Sequence, residues 1–243
     1  MKVLLTRPEG RNQSMVEALS SLEVPFAVTP LLQVVANDNV DHKQKKTEFN
    51  QSDIIIFIST NAVEYADIAL DSIWPQDKQY FAVGQATFSV LQAKGIQATE
   101  APESCQQTEG LLTLPSLQNL TGKRITIVRG VGGREALASA LTQRGAQVTY
   151  WEVYRRTCPE LSVTTAYEWQ HQAIDTIVIT SGEILANLIT LVPKELFAWL
   201  HACHIIVPSA RVYDQAIEAG FTHVTNAKAA NRDAVLIALG LRE

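Results

Sequence analysis

Two similar α/β domains, each a parallel sheet flanked by helices, are predicted by three observations. First, the chain repeats itself. Leu4-Leu5-Thr6-Arg7-Pro8-Glu9-Gly10-Arg11 returns as Ile127-Val128-Arg129-Gly130-Val131-Gly132-Gly133-Arg134, and Arg7 and Arg129 lie 129 − 7 = 122 positions apart. Ser59 and Ser181 keep that offset, 181 − 59 = 122, in Ile56-Phe57-Ile58-Ser59-Thr60 and Val178-Ile179-Thr180-Ser181-Gly182. A repeat of half a 243-residue chain is far too long for a solenoid and means two like domains. Second, the apolar runs do not alternate with polar residues, which suits strands buried on both faces. Third, each run leads through a polar or glycine-rich turn into an amphipathic stretch, the grammar of α/β units.

The elements follow in order. Val3-Leu4-Leu5 is a strand, Thr6 to Gln13 a turn, and Met15, Val16, Leu19 and Leu22 fall at helical spacing. Pro30-Leu31-Leu32-Gln33-Val34-Val35 is strand-like. Ile54 to Ile58 is a buried strand, and Ser59-Thr60-Asn61 opens a helix carrying Ala62, Val63, Ala66 and Ala69. Phe81-Ala82-Val83 leads through Gly84-Gln85 into a helix from Ala86 to Ala93, closed by Lys94-Gly95. In the second half, Ile127-Val128 ends in the glycine run, and a helix follows at Leu137 to Leu141. Val148 to Arg156 is longer than one strand of a small sheet needs. Its counterpart is Pro30 to Val35. If both cross between domains side by side, each domain borrows its first βαβ unit from the other half. A plain tandem cut near Thr121-Gly122 explains the repeat equally well, because the exchanged units are alike.

Composition fits two folded domains, with 47% hydrophobic and 19% charged residues. A net charge of −5 disfavours a nucleic-acid binder with a broad basic face. The N-terminal apolar run is too short for a signal peptide and no stretch is long enough to span a bilayer, so a cytoplasmic protein is expected. Cys105, Cys158 and Cys203 are odd in number and widely spaced, as suits reduced thiols.

In open α/β sheets, ligands gather at the carboxyl ends of strands. There this chain places Thr6-Arg7, Ser59-Thr60, Gly84-Gln85-Ala86-Thr87, Arg129-Gly130-Val131-Gly132-Gly133, Thr180-Ser181-Gly182 and Pro208-Ser209-Ala210-Arg211. Hydroxyls, arginines and free N–H groups favour anionic oxygens. Ser59, Ser181 and Ser209 serve equally well as plain helix N-caps. The glycine run lacks the spacing of a dinucleotide loop and the lysine of a P-loop. His201-Ala202-Cys203-His204 has the residue types of a metal cluster but no second pair, and Cys105, after Pro102-Glu103-Ser104, has no local base. Tyr154 lies in the suspected crossover, where a phenol can donate a proton or simply pack as a strand tyrosine.

Taken in order, Leu5-Thr6-Arg7-Pro8, Phe81 to Thr87, Gly122-Lys123-Arg124, Val128 to Glu135, Gly145 to Tyr154, Thr180 to Glu183 and Val207 to Arg211 resemble the uroporphyrinogen-III synthase family in its gamma-proteobacterial form. The likeness runs nearly end to end. It implies two α/β domains joined by a two-stranded linker with the active-site cleft between them. That favours the exchanged arrangement: Met1 to Val35 with Thr157 to Glu243, and Ala36 to Arg156. It implies an enzyme that closes hydroxymethylbilane, a linear tetrapyrrole with eight carboxylates, into a ring, inverting ring D and losing water. Tyr154 matches the family tyrosine proposed to assist hydroxyl departure. Thr87, Ser59, Ser181 and Ser209 match cleft positions, although Pro208-Ser209-Ala210 stands where relatives carry glycine and paired threonines. Arg7, Thr60, Gly84, Arg129, Gly130, Gly132 and Gly182 complete the expected substrate contacts, with Arg7 and Arg129 as exposed cleft arginines. The family implies no cofactor and no metal, and no nucleic-acid or membrane partner. The expected protein is a monomer that meets hydroxymethylbilane synthase transiently. A cytosolic two-domain sensor of a small polyanion is the rival reading, since such receptors share the two-domain plan.

Overall fold

The structure, a computed structural model, describes residues 1–102, 105, 107–133 and 135–242. Arg134, at the end of the glycine run, and Glu103-Ser104, before Cys105, lie outside the described residues. The chain divides into two compact units, Met1–Val34 with Thr157–Glu243, and Val35–Arg156. The first cut falls one residue earlier than the sequence suggests, so Val35 belongs to the second unit.

The first unit opens with β1 (Val3–Leu5), α1 (Gln13–Ser21) and β2 (Phe26–Val28). The second holds β3 (Gln33–Ala36), α2 (His42–Gln51), β4 (Ile54–Phe57), α3 (Thr60–Ala69), β5 (Gln79–Ala82), α4 (Gln85–Ala93) and β6 (Ala98–Glu100). It continues through α5 (Thr108–Leu111), β7 (Arg124–Gly130), α6 (Ala136–Gln143) and β8 (Gln147–Thr157). The chain then returns to the first unit with α7 (Thr165–His171), β9 (Thr176–Val178), α8 (Gly182–Leu191) and α9 (Phe197–Ala202). It ends there with β10 (His204–Val207), α10 (Ala210–Glu218), β11 (Val224–Asn226) and α11 (Arg232–Ala238).

The first sheet has the order β11-β10-β9-β1-β2, and its pairs are parallel. The second has the order β3-β8-β7-β4-β5-β6. In repeat terms β1 corresponds to β7, β9 to β4 and β10 to β5. Each sheet therefore joins a βαβ unit from one half of the chain to strands from the other half. The first cut falls within β3 and the second at the end of β8, neighbours in the second sheet.

Burial explains the continuous apolar strands. Leu4, Ile177 and Ile205 stand in register and pack into one core with Trp169, Leu188 and Phe221. One step along, Leu5, Val178 and Ile206 join Met15, Leu19 and Val235 in a core on the other face. Both faces are thus covered, and a truncation such as Leu4→Ala would cost about 2–5 kcal/mol. In the second unit Ile54, Ile56, Phe81, Ile125 and Ile127 fill one core. Elsewhere in this unit aromatic side chains pack edge to face: Phe49 meets Trp74 at 6.4 Å and Trp151 at 5.1 Å. Among the described residues no helix is long and apolar enough to cross a membrane.

Candidate functional site

In the second unit β4 delivers Ser59 to the carboxyl edge. Its backbone is extended (φ −161°), and its Oγ accepts the Ala62 N–H at 3.1 Å, capping α3. The same Oγ lies 3.0 Å from the Tyr154 hydroxyl. Ser59 is therefore both a cap and a partner of the tyrosine. Tyr154 is only 8% exposed, and its ring packs beside Tyr65 at 5.8 Å. The ring is part of the unit's packing, and the hydroxyl at its polar end meets Ser59. Gly130 makes room for that ring. A Cβ there would lie 2.5 Å from Tyr154 Cε2, so a side chain could not enter without moving the tyrosine. The strand pairing slips by one residue at this point, since Arg129 faces Glu152 while Gly130 faces Tyr154.

Arg129 also departs from expectation. It is 2% exposed and is not a free arginine on a rim. Nη1 donates to Glu135 Oε1 at 3.2 Å, and Nε lies 3.7 Å from Glu152 Oε1. The guanidinium covers the Tyr150 ring at 4.4 Å, a cation–π contact. Tyr150 in turn donates to Glu135 Oε2 at 2.5 Å. That bond, with the nearby guanidinium, holds the Glu135 carboxyl below its usual range. Burial and Glu135 push the Tyr150 phenol up to about 12. The glycine run wraps this cluster: the Gly132 N–H donates to Glu152 at 3.1 Å, and a Cβ on Gly133 would lie 3.2 Å from Arg129 Nη2. Gly132 itself is exposed.

The other expected residues of this unit divide. Gly84 has φ +86°, in the left-handed region that glycine favours, and starts α4. Thr60, the first residue of α3, is partly exposed at the same edge. Thr87, by contrast, is buried in the first turn of α4, so its placement at the substrate surface is corrected to a packing position.

The carboxyl edge of the first unit is built differently. Thr6 is fully buried and its hydroxyl donates to the Val178 carbonyl at 2.5 Å, tying β1 to β9. Arg7 is next along the chain, partly exposed, and burial pulls its pKa down. Asn12 Nδ2 donates to the Arg7 carbonyl at 3.0 Å. Ser181 caps α8 through the Ile184 N–H at 3.2 Å, and Ser209 caps α10 through the Val212 N–H at 3.4 Å. Both share the extended conformation of Ser59. A Cβ on Gly182 would lie 2.5 Å from Gln215 Oε1 and 3.5 Å from Arg211 Nη1. This brings Arg211, from the Pro208-Ser209-Ala210-Arg211 turn, beside the start of α8.

Elsewhere the candidates disperse. His201 packs against Phe197 and Phe221, Cys203 is buried, and His204 stacks on His223 at 3.9 Å, so the suspected cluster points three ways. Burial pushes the Cys203 thiol up to about 12, which makes it a poor nucleophile near neutral pH. A cavity of about 580 Å³ lies by Gln79 and Ala98, at the amino ends of β5 and β6. It is away from the hydroxyls and arginines, and strand chemistry favours the other edge. A smaller cavity of about 180 Å³ lies among Ile58, Val83, Leu137, Tyr150 and Arg129, at the carboxyl ends of β4, β5 and β7.

Tyr65, Tyr150, Glu135 and Glu152 are the residues that sequence reasoning misses. One signal is available: Tyr150 and Glu152 stand two apart on β8, ahead of the pairing slip, and strand residues two apart share a face.

Comparison with known proteins places the chain. The family model described as uroporphyrinogen-III synthase HemD matches residues 13–236. The uroporphyrinogen-III synthase of Escherichia coli (strain K12) is 34% identical, over 98% of this chain and 100% of that protein. That of Salmonella typhimurium is also 34% identical, with the same coverage. The uroporphyrinogen-III synthetase of Helicobacter pylori 26695 shares the fold, with a TM-score of 0.66 at 16% identity over 99% of both chains. A matched region spanning both units, and relatives aligned from end to end, leave one conclusion: the chain belongs to the uroporphyrinogen-III synthase family.

Proposed function

We propose that this enzyme of haem biosynthesis, a cyclising lyase by its family, converts hydroxymethylbilane to uroporphyrinogen III with loss of water and inversion of ring D. The observation that carries the reading is the 34% identity along the whole of a uroporphyrinogen-III synthase. The two sheet edges add chemical support. Each presents hydroxyls, helix N-termini and arginine near strand ends, a setting suited to a ligand with many carboxylates.

The substrate's pyrroles supply both the nucleophile and the stabilised cation, so the protein positions the chain and eases hydroxyl departure. Tyr154 is proposed for that step. Ser59 Oγ already accepts the Ala62 N–H. If it donates its own proton to the Tyr154 oxygen, the phenol O–H is left to donate to the departing hydroxyl. The proton released on ring closure then restores the phenol. Arg7, Thr60, Gly84, Gly132, Ser181, Gly182 and Ser209 are proposed as substrate contacts. The division at Val34/Val35 and Arg156/Thr157 is proposed as the functional domain boundary. The protein is proposed to act in the cytoplasm as a monomer, with transient transfer of substrate from hydroxymethylbilane synthase.

Fresh hydroxymethylbilane closes unaided to the uninverted type I isomer. Type III product on adding this protein, undiminished by chelator, is the expected result. A chain that binds hydroxymethylbilane and leaves only type I product would be a sensor of a polyanion instead.

A further inference from the structure

We infer that the small cavity of the second unit is a seat for one carboxylate arm of the ligand, and that Glu135 occupies its cation until the ligand arrives. The inference deepens the proposed function and rests on that reading for the identity of the ligand.

The cavity has the right chemistry and size. Ile58, Val83 and Leu137 give it apolar walls, and Arg129 and Tyr150 give it a cation and an aromatic face. Its volume of about 180 Å³ is below that of pockets that swallow a whole ligand, so it suits a side arm. A propionate or acetate arm on a pyrrole has methylenes for the walls and a carboxylate for the guanidinium. Ile58 on the cavity wall directly precedes Ser59 at the end of β4.

Arg129 is 2% exposed, so an uncompensated charge there would be costly. Two carboxylates balance it, and they are not alike. Glu152 is held on β8 and also accepts the Gly132 N–H. Glu135 comes from the loop before α6, and its side chain is 64% exposed. It bridges Arg129 and Tyr150, both of which line the cavity. A ligand carboxylate that takes over these two donors replaces one anion by another. The charge of the buried guanidinium stays balanced throughout, while Glu135 swings into water. Glu152 keeps the glycine run in place during the exchange.

The test uses Glu135→Gln and Tyr150→Phe in the full chain. Glu135 is exposed, so its variant should fold. Glu135→Gln removes the competing anion, and KM for hydroxymethylbilane should fall about threefold, moving more than kcat. Tyr150→Phe frees one end of Glu135 but also removes a donor, so it should shift KM less than Glu135→Gln does. A second readout needs no turnover: pyrrole-3-propionate, titrated by NMR, should bind Glu135→Gln about threefold more tightly than the parent. An unchanged or raised KM together with unchanged binding of pyrrole-3-propionate would make the Arg129–Glu135 pair a structural clasp and overturn the inference. If the parent chain forms no type III product, the functional reading fails, and the pyrrole-3-propionate titration still decides the cavity.

Discussion

Arg7 and Arg129 hold the same place in the two halves of the chain, yet the protein treats them in opposite ways. Arg7 ends β1 partly exposed, and burial alone perturbs it. Arg129 ends β7 almost wholly buried, clasped by Glu135 and Glu152 and laid over Tyr150. The difference lies in the loop at the end of each strand. After Arg7 come Pro8, Glu9 and Gly10, and among the described residues no ion pair joins that turn to the arginine. After Arg129 a pairing slip and two glycines fold the loop back over the guanidinium. The repeat places Arg7 and Arg129 at corresponding strand ends of the two sheets. One stays partly exposed, and the other is already neutralised by the protein.

The largest effect expected from this contrast is on stability. Arg129→Ala removes a buried cation and leaves Glu152 and Glu135 facing each other. It should cost about 2–3 kcal/mol, discounted because both carboxylates reach solvent. Arg7→Ala should change stability by less than about 0.5 kcal/mol, as surface substitutions do. Urea unfolding of the two variants checks the pair, and equal losses would break the comparison.

Glycines sharpen it next. Gly130→Ala would drive a Cβ into the Tyr154 ring, whose backbone is fixed in β8. Overpacking of this kind should cost about 2 kcal/mol and disturb turnover together with stability. Gly182→Ala in the first unit meets the tip of Gln215, a flexible side chain that can step aside. It should cost under about 0.5 kcal/mol. Thermal unfolding of both variants tells them apart.

Tyr154→Phe comes third. It removes one hydrogen bond to Ser59, so the fold should lose no more than about 1 kcal/mol. Turnover should fall more than about tenfold yet short of the ~10²-fold or more typical of a general acid, because the pyrrole nitrogen already expels the hydroxyl. Single-turnover rates and unfolding midpoints on the same variant separate the two. Wild-type turnover would leave Tyr154 as packing and the mechanism without a named acid.

Much of the architecture is legible in the sequence because it rests on local signals. Val3-Leu4-Leu5 and Ile54 to Phe57 are unbroken apolar runs because both faces of each strand are buried, and Ser59, Ser181 and Ser209 stand where capping chemistry puts them. The pairing of β1 with β9 is not legible from the repeat alone, because β1 and β7 are alike and either could fill that slot. Most of the site lies further out of reach. Ser59 meets Tyr154 across 95 positions, and no periodicity reports such a contact. Arg129 has the type and position of a rim arginine. Its burial depends on Glu152, Tyr150 and the slip in β-pairing, which are facts of tertiary register. Thr87 misleads for the same reason, since the turn after Gly84 carries its side chain inward.

The smallest expected effect tests the open arginine itself. Among the described residues no ion pair holds Arg7, and its charge is proposed to meet an anionic arm of the substrate. It is partly exposed, and solvent screens what it contributes. Arg7→Ala should therefore weaken substrate binding by only about 0.3–1 kcal/mol, seen as a modest rise in KM. The diagnostic part is salt. A screened contact to a carboxylate loses strength as ionic strength rises, so KM of the parent should climb with added chloride. In Arg7→Ala that climb should be shallower, and the two curves should approach each other at high salt. Conservative replacement by lysine keeps the charge and should restore most of the slope. Parallel curves for parent and Arg7→Ala would mean that Arg7 only shapes the turn after β1, where its carbonyl already accepts from Asn12. The neutralised arginine of the other unit would then be the sole candidate cation of the repeated pair.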